Sequence, residues 1–169
     1  ENNNFTQNIL QTNASSAKLI DIDSSSSNNN FIFNTFLTNA SSTQTIYLKS
    51  RENLIRSNNI TTIQTTSPGI YVSNWDNLVD NNSILTQGGS AHGVLIGDYA
   101  YYNNFTNNSV STLGDESYGF YGDLDSNSIY ENNQIYTFGV DSWGIYIDWR
   151  NATLINNLIN SSSNSIFLN

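Results

Sequence analysis

Neither cysteine nor methionine occurs in this chain of 169 residues, and one histidine and five Lys and Arg stand against fourteen Asp and Glu. Without cysteine there is no disulfide framework and no thiolate metal site, and the redox compartment leaves no mark on the sequence. The shortage of cations is uneven: no lysine or arginine falls between Ser57 and Trp149, a span that holds ten carboxylates. A nucleic-acid surface needs clustered Lys and Arg to replace counterions, so no nucleic-acid partner is expected. Anionic membranes are disfavoured on the same ground. No run of eighteen or more apolar residues occurs, so no membrane insertion is expected. Helical periodicity is missing too, because no stretch keeps apolar residues at i, i+3, i+4 and i+7 for long. The lone histidine, His92, has no nucleophile-containing motif beside it and reads as a turn residue rather than a general base.

Against these absences stands an asparagine repeated at a nearly constant interval. Asn8, Asn34, Asn58, Asn82, Asn108, Asn133 and Asn157 are separated by 26, 24, 24, 26, 25 and 24 residues. The later copies are the clearest, as in Asn81-Asn82-Ser83-Ile84 and Asn132-Asn133-Gln134-Ile135. A second marker runs in phase: Gly69-Ile70-Tyr71-Val72, Gly93-Val94-Leu95-Ile96, Gly119-Phe120-Tyr121-Gly122 and Gly144-Ile145-Tyr146-Ile147. Thr45-Ile46-Tyr47-Leu48 precedes it by a turn and Ser165-Ile166-Phe167-Leu168 follows by one. A fixed period in the twenties signals a solenoid, in which each repeat stacks on the last. Within each marker apolar residues alternate, as in Ile70/Val72 and Ile145/Ile147, which is the period of a strand with one buried face. The segments between are rich in Asn, Gly, Ser and Asp, residues that tolerate left-handed backbone geometry and form turns. Leucine-rich repeats share the period but need a spaced leucine consensus and a helical arm, and neither is present. The chain therefore reads as one all-β domain over residues 1–169, a parallel β-helix of about seven turns of 24–26 residues. At the ordinary interstrand spacing that makes a rod roughly 30 to 35 Å long.

Stacking gives the asparagines a physical role. An Asn repeated at one bend lies over its copy, and the amides can hydrogen-bond along the axis as a ladder. The pattern Gly-Ile-Tyr-Ile, about ten residues, then Asn-Asn-x-Ile resembles the right-handed, single-stranded parallel β-helix repeat of pectin-lyase-like and NosD-like proteins, which also occurs in archaeal and bacterial surface proteins. The resemblance covers essentially the whole chain. It implies the fold and leaves the activity open, because the group spans polysaccharide lyases, glycoside hydrolases, tailspikes, adhesins and surface-layer proteins. Lyases of this kind neutralise a uronate with Ca²⁺ and use Arg or Lys as the base. This chain departs from that pattern: Arg150 alone lies near the acidic residues, and Arg51 and Arg56 fall several turns away.

The absent initiator Met and the abrupt ends suggest a processed chain or a fragment. Solenoids need polar caps, and bare strand edges recruit strands, so either neighbouring domains of the same polypeptide continue the rod or copies self-associate end to end. Nine Asn-x-Ser/Thr sites would accept N-glycans: Asn4, Asn13, Asn39, Asn59, Asn81, Asn104, Asn107, Asn151 and Asn160. With 39 Ser and Thr in the chain, that number is close to chance. An extracellular or cell-surface location is favoured instead by the Asn-, Ser- and Thr-rich, Lys-poor composition.

Two constellations could carry chemistry. Aligning turns on Gly119 and Gly144 superposes Asp123 on Asp148 and Glu116 on Asp141, with Asp115 and Asp125 near in sequence. Stacked carboxylates repel. Three readings stay open: solvated charge, a Ca²⁺ site on Glu116, Asp141, Asp123 and Asp148, or a catalytic pair drawn from the same four residues. No cofactor other than this Ca²⁺ is expected. The second constellation is aromatic. Tyr47, Tyr71, Tyr121, Tyr146 and Phe167 take the outward position between inward apolar residues, with Leu95 in the fourth turn. Trp75 and Tyr99 align in another column, with Trp149 near it. Exposed stripes of this length mark contact surfaces, for glycans or for another subunit; a loop folded over the stripe, or the strand propensity of aromatics alone, is the other reading left open. The threonines do not share a column on this reading, which sets aside an ice-binding ladder. The expectation is an extracellular structural protein, a module of a surface layer, filament or adhesin assembling through strand edges and the aromatic face. The alternative is a carbohydrate-active module, either a glycoside hydrolase or a non-catalytic glycan binder.

Overall fold

A computed structural model describes residues 2–123, 126–148 and 151–169. Asp125, Trp149 and Arg150, singled out above, lie outside the described residues. Every turn lays down three short strands, the first being Asn4–Thr6, Ile9–Thr12 and Lys18–Ile22 and the last Thr153–Ile155, Leu158–Ser161 and Ile166–Leu168. Equivalent strands pair in parallel, giving three 7-stranded sheets, named here A, B and C in the order the chain visits them. The result is an all-β solenoid seven strands deep in each sheet, in line with the seven turns expected.

Alternation sorts the side chains. Phe31, Ile55, Val79, Phe105 and Tyr130 face inward from sheet A, Phe36, Ile60, Ile84, Val110 and Ile135 from sheet B, and Ile46, Ile70, Val94, Phe120 and Ile145 from sheet C. Each lies in register with its copy in the next turn, so the core is a stack of like on like. Where Gly122 interrupts the inward column formed by Val72, Ile96 and Ile147, larger rings occupy the interior. Phe105, Phe120 and Tyr130 pack there with centroids 5.1 to 5.5 Å apart.

The corners share one construction: a residue in the left-handed region, then an inward residue that is polar in most turns, Ala91 after Ser90 being an exception. Between sheets A and B the left-handed residues include Ser57, Asn81, Asn107 and Asn132, between C and A Glu52 and Asp76, and between B and C Ser90, Glu116 and Asp141. After the A–B corner come the asparagines of the fixed interval. Asn58 Oδ1 accepts the Asn34 N–H at 2.8 Å and the Asn34 amide at 3.0 Å, while Asn58 Nδ2 donates back to the Phe31 carbonyl at 2.8 Å. The pattern runs from Asn8 through Asn34, Asn58, Asn82, Asn108 and Asn133 to Asn157. A buried amide is costly unless paired, and here both ends of each interior amide are paired.

Two further ladders escaped the sequence reading. Asn29, Asn53, Asn77 and Asn103 link in the same way at the C–A corner, and Asn103 N–H then donates to Ser128 Oγ at 3.1 Å. At the B–C corner hydroxyls serve: Thr43 N–H donates to Ser67, Ala91 N–H to Ser117, and Ser117 N–H to Ser142.

Glycine does not share in the left-handed turns as expected. No described glycine has a positive φ, while twenty other residues do. The glycines answer a different need, close approach between turns. A Cβ on Gly114 would lie 2.1 Å from the Gly88 carbonyl oxygen, and one on Gly139 would lie 1.9 Å from that of Gly114. On Gly93 it would meet Val110 Cγ1 at 2.2 Å. The threonine reading is also overturned. Thr12, Thr38, Thr62, Thr86, Thr112 and Thr137 do keep one column in sheet B, continued by Ser161. Thr38, Thr62, Thr86 and Thr112 point inward and are fully buried, so this ladder meets no ice surface.

Candidate functional site

The outer face of sheet C gathers most of the chemistry-bearing side chains. Register places Tyr47 beside Tyr71, then Leu95, Tyr121, Tyr146 and Phe167, one per turn. Their outward position follows from the alternation that sends their neighbours into the core. All are half-buried, because successive rings cover one another. Tyr47 and Tyr71 stack at 4.7 Å and 4°, Tyr146 and Phe167 at 4.5 Å and 10°, and Tyr121 meets Tyr146 at 5.4 Å.

A second column was not foreseen. His92, Tyr118 and Trp143 each precede a marker glycine, and the N–H groups of Gly69, Gly93 and Gly119 donate to their carbonyls, which holds them in register. His92 stacks on Tyr121 at 4.9 Å and lies 5.1 Å from Tyr118. Trp143 sets its edge against Tyr146 and Phe167, both at 5.7 Å. The signal was the residue before each glycine, hidden because its identity changes from turn to turn. His92 is thus part of the ring surface, lying between the Gly89–Ser90 turn and the Val94–Ile96 strand. Its Nδ1 accepts the Tyr118 N–H at 3.1 Å, and burial lowers its pKa to about 4.

Carboxylates border the rings on both sides. Glu116 and Asp141 occupy left-handed corner positions (φ 53 and 52) ahead of the strands. With Ser90, His92, Tyr118 and Tyr121 they line a shallow depression of about 340 Å³. Past the strands, Asp98 and Asp123 join Tyr71, Leu95, Tyr99 and Tyr121 around a second depression of about 470 Å³. Leu95 is shorter than the tyrosines on either side and leaves the notch between them; Gly97 leaves room for the Tyr71 ring, whose hydroxyl would lie 2.5 Å from a Cβ there. Tyr99, at φ 67, belongs to the loop after Gly97 and packs edge-on against Tyr101 at 6.4 Å. Trp75 lies partly exposed. Burial first, and then the charges of Asp123 and Asp148 together with the other rings, raises the Tyr121 pKa. Burial with Tyr146, Glu116 and Asp141 does the same for Tyr118, and burial with Tyr47 and Asp98 for Tyr71. The phenols stay neutral, and the carboxylate fields reach the rings.

Asp123 and Asp148 follow in-register strands, and the Asp148 N–H donates to the Gly122 carbonyl at 2.9 Å. Asp148 accepts the Asn169 amide at 2.7 Å, and Glu116 accepts a 3.4 Å bond from Ser90 Oγ. Asp115 is occupied by the Val140 N–H at 2.8 Å. Among the described residues no three histidine or carboxylate side chains converge as metal ligands, so Glu116, Asp141, Asp123 and Asp148 stand as two separated pairs on opposite borders.

The first turns fill the border differently. Lys18 Nζ lies 4.3 Å and Lys49 Nζ 5.0 Å from the Tyr47 ring centroid, and both pair with Asp21 at 3.1 and 2.8 Å. Ring, carboxylate and ammonium are all present there.

All nine sequon asparagines are exposed, and none lies on sheet C. Asn4 and Asn104 are in sheet A, Asn59 and Asn160 in sheet B, Asn81 and Asn107 at the A–B corner and Asn151 at the C–A corner. Asn13 and Asn39 directly follow sheet B. In Asn4, Asn59 and Asn104 the sequon spacing of two equals the strand period, so Asn and Thr both point outward around an inward Phe5, Ile60 or Phe105. Comparison with protein-family models, with curated proteins and with solved structures finds no match to this chain.

Proposed function

We propose that this chain is an extracellular structural module, part of a cell-surface layer, filament or adhesin, whose lateral contact surface is the outer face of sheet C. The observation that carries the reading is the continuous ring surface on that face, two columns wide from His92 to Phe167 and free of every Asn-x-Ser/Thr site. Aromatic side chains contribute large contact area at low entropic cost, and glycans would be attached to sheets A and B and to the corners, none to this face. The resemblance to a repeat that also occurs in archaeal and bacterial surface proteins supports the same setting, and strand-edge contact with neighbouring domains or further copies would extend the rod.

Electron microscopy of the purified chain across a concentration series tests this, alongside Tyr71→Asn made in a glycosylating host. That change puts an asparagine two residues before Ser73 and so completes an Asn-x-Ser site on the ring face. A glycan there should abolish lateral association, whereas Tyr71→Gln should not. Short separate rods at every concentration would overturn the reading. The second reading, a carbohydrate-active module, is supported by rings and carboxylates on one face. A polysaccharide-cleavage and glycan-array screen of the parent and of Asp123→Asn with Asp148→Asn separates the two.

A further inference from the structure

The lysine-filled end of sheet C shows how the rest of that face can be used. At Tyr47 the ring and the Asp21 carboxylate together hold two ammonium groups, those of Lys18 and Lys49. Further along the same column Tyr71, Tyr121 and Tyr146 repeat the ring; Asp21 sits in that column, in register with Tyr47, whereas Asp98, Asp123, Asp148, Glu116 and Asp141 bring carboxylates to the rings from the borders. No lysine or arginine is described on that stretch, and none occurs in sequence between Ser57 and Trp149. Tyr121 sits at the junction: it lines both depressions, one with Asp98 and Asp123 and the other with Glu116 and Asp141.

The geometry points to these two depressions as binding sites for the cationic side chains of a partner polypeptide, a Lys- or Arg-bearing segment laid across the ring face. Each site offers what Tyr47 and Asp21 offer in cis: a ring face for the cation and a carboxylate for charge neutralisation. Charge complementarity selects this occupant. A second copy meeting the same stretch of its partner would oppose carboxylate to carboxylate, in a chain whose net charge is −9. A neutral glycan would leave the border charge uncompensated. The inference rests on the proposal that sheet C is the contact face and adds the chemistry of what it contacts.

Calorimetric titration of the whole chain with tetralysine tests it, with spermidine, tetraglycine and CaCl₂ as comparison probes at one ionic strength. Tetralysine should bind and tetraglycine should not. Tyr121→Leu, which copies the residue already present at position 95, should weaken tetralysine about tenfold with the circular dichroism spectrum unchanged. Asp98→Asn with Asp123→Asn, at solvent-facing positions, should weaken it comparably. Lys18→Ala with Lys49→Ala should add binding capacity, because Tyr47 and Asp21 are then vacated. Tetralysine affinity no greater than that of Ca²⁺, or unaltered in Tyr121→Leu, would overturn the cation sites. Binding of spermidine without tetralysine would overturn the polypeptide occupant. If Tyr121→Leu removed assembly while tetralysine binding stayed at the parent level, the contact face would stand and the cation sites would fall.

Discussion

The A–B corner keeps asparagine at every turn, while the outer column of sheet C keeps a ring at most of them, and repetition serves different ends in the two. At the corner each asparagine completes the hydrogen bonds of the turns above and below, inside a core where an unpaired amide has no water to turn to. The identity of the residue is therefore a condition of the backbone path. On the face, Leu95 interrupts the tyrosines with its strand pairing intact on both sides. The backbone does not require rings there. A residue type that persists where the fold does not demand it is the better pointer to contact.

The sharpest way to break this comparison is to treat two asparagines alike. Asn82→Ala removes the acceptor of the Asn58 N–H and amide and the donor to the Ile55 carbonyl. It should cost about 4 kcal/mol in chemical denaturation. Asn59→Ala, one residue past the ladder and exposed, should stay within about 0.5 kcal/mol. Equal losses would mean that the ladder is not what holds the corner.

A smaller effect separates two glycines of neighbouring turns. Gly114→Ala forces a Cβ into the Gly88 backbone at 2.1 Å, while Gly89→Ala meets nothing nearer than 3.6 Å. The first should cost more than about 2 kcal/mol and the second should be neutral or slightly stabilising. Melting curves of the two variants decide whether close approach is the reason for glycine in that column.

Two substitutions should raise stability, and they sharpen the contrast from the other side. The buried Thr86 hydroxyl has no hydrogen-bond partner, whereas that of Thr112 donates to the Ser117 carbonyl at 2.7 Å. Thr86→Val should therefore stabilise by about 1 kcal/mol and Thr112→Val destabilise by at least as much. Phe33 is left-handed (φ 58) and 63% exposed in the column where later turns carry asparagine. Phe33→Asn should gain about 1 kcal/mol, measured by thermal denaturation, by relieving strain at a position that buries little.

The smallest expected effect is acid sensitivity outside the ring face. Burial acts to raise the pKa of Asp80, but hydrogen bonds from Asn107 and Thr106 and the charge of Arg56 outweigh it and hold it below its ordinary value. A depressed folded-state pKa stabilises above the unfolded value of 3.8, and that contribution is lost as pH falls through the folded pKa. Stability of the parent measured from pH 6 down to pH 2 should fall more than that of Asp80→Asn.

How much was legible depends on whether a column keeps one residue type. The interval from Asn8 to Asn157 and the Gly-Ile-Tyr marker are repeats of identity, and they led to the stacked parallel strands and to the ring stripe. The column of His92, Tyr118 and Trp143 changes identity at each turn and stayed hidden. The Asn29–Asn103 ladder was obscured by the run Asn28-Asn29-Asn30 and by its handover to Ser128. The threonine column lay in plain view, four residues after each ladder asparagine from Thr12 to Thr137, but its inward direction depends on the bend that precedes it.

The sequence by itself determined the period, the strand alternation and the stacking of like residues, because a solenoid repeats its local environment and so repeats its local solution. The tertiary structure alone decided that the glycines serve close approach rather than left-handed turns, and that nine exposed sequons leave one face bare. It also decided that carboxylates from corners and loops flank the same rings. The groups concerned are neighbours across turns, 24 to 26 residues apart in the chain, and no local pattern states which side of a turn meets which.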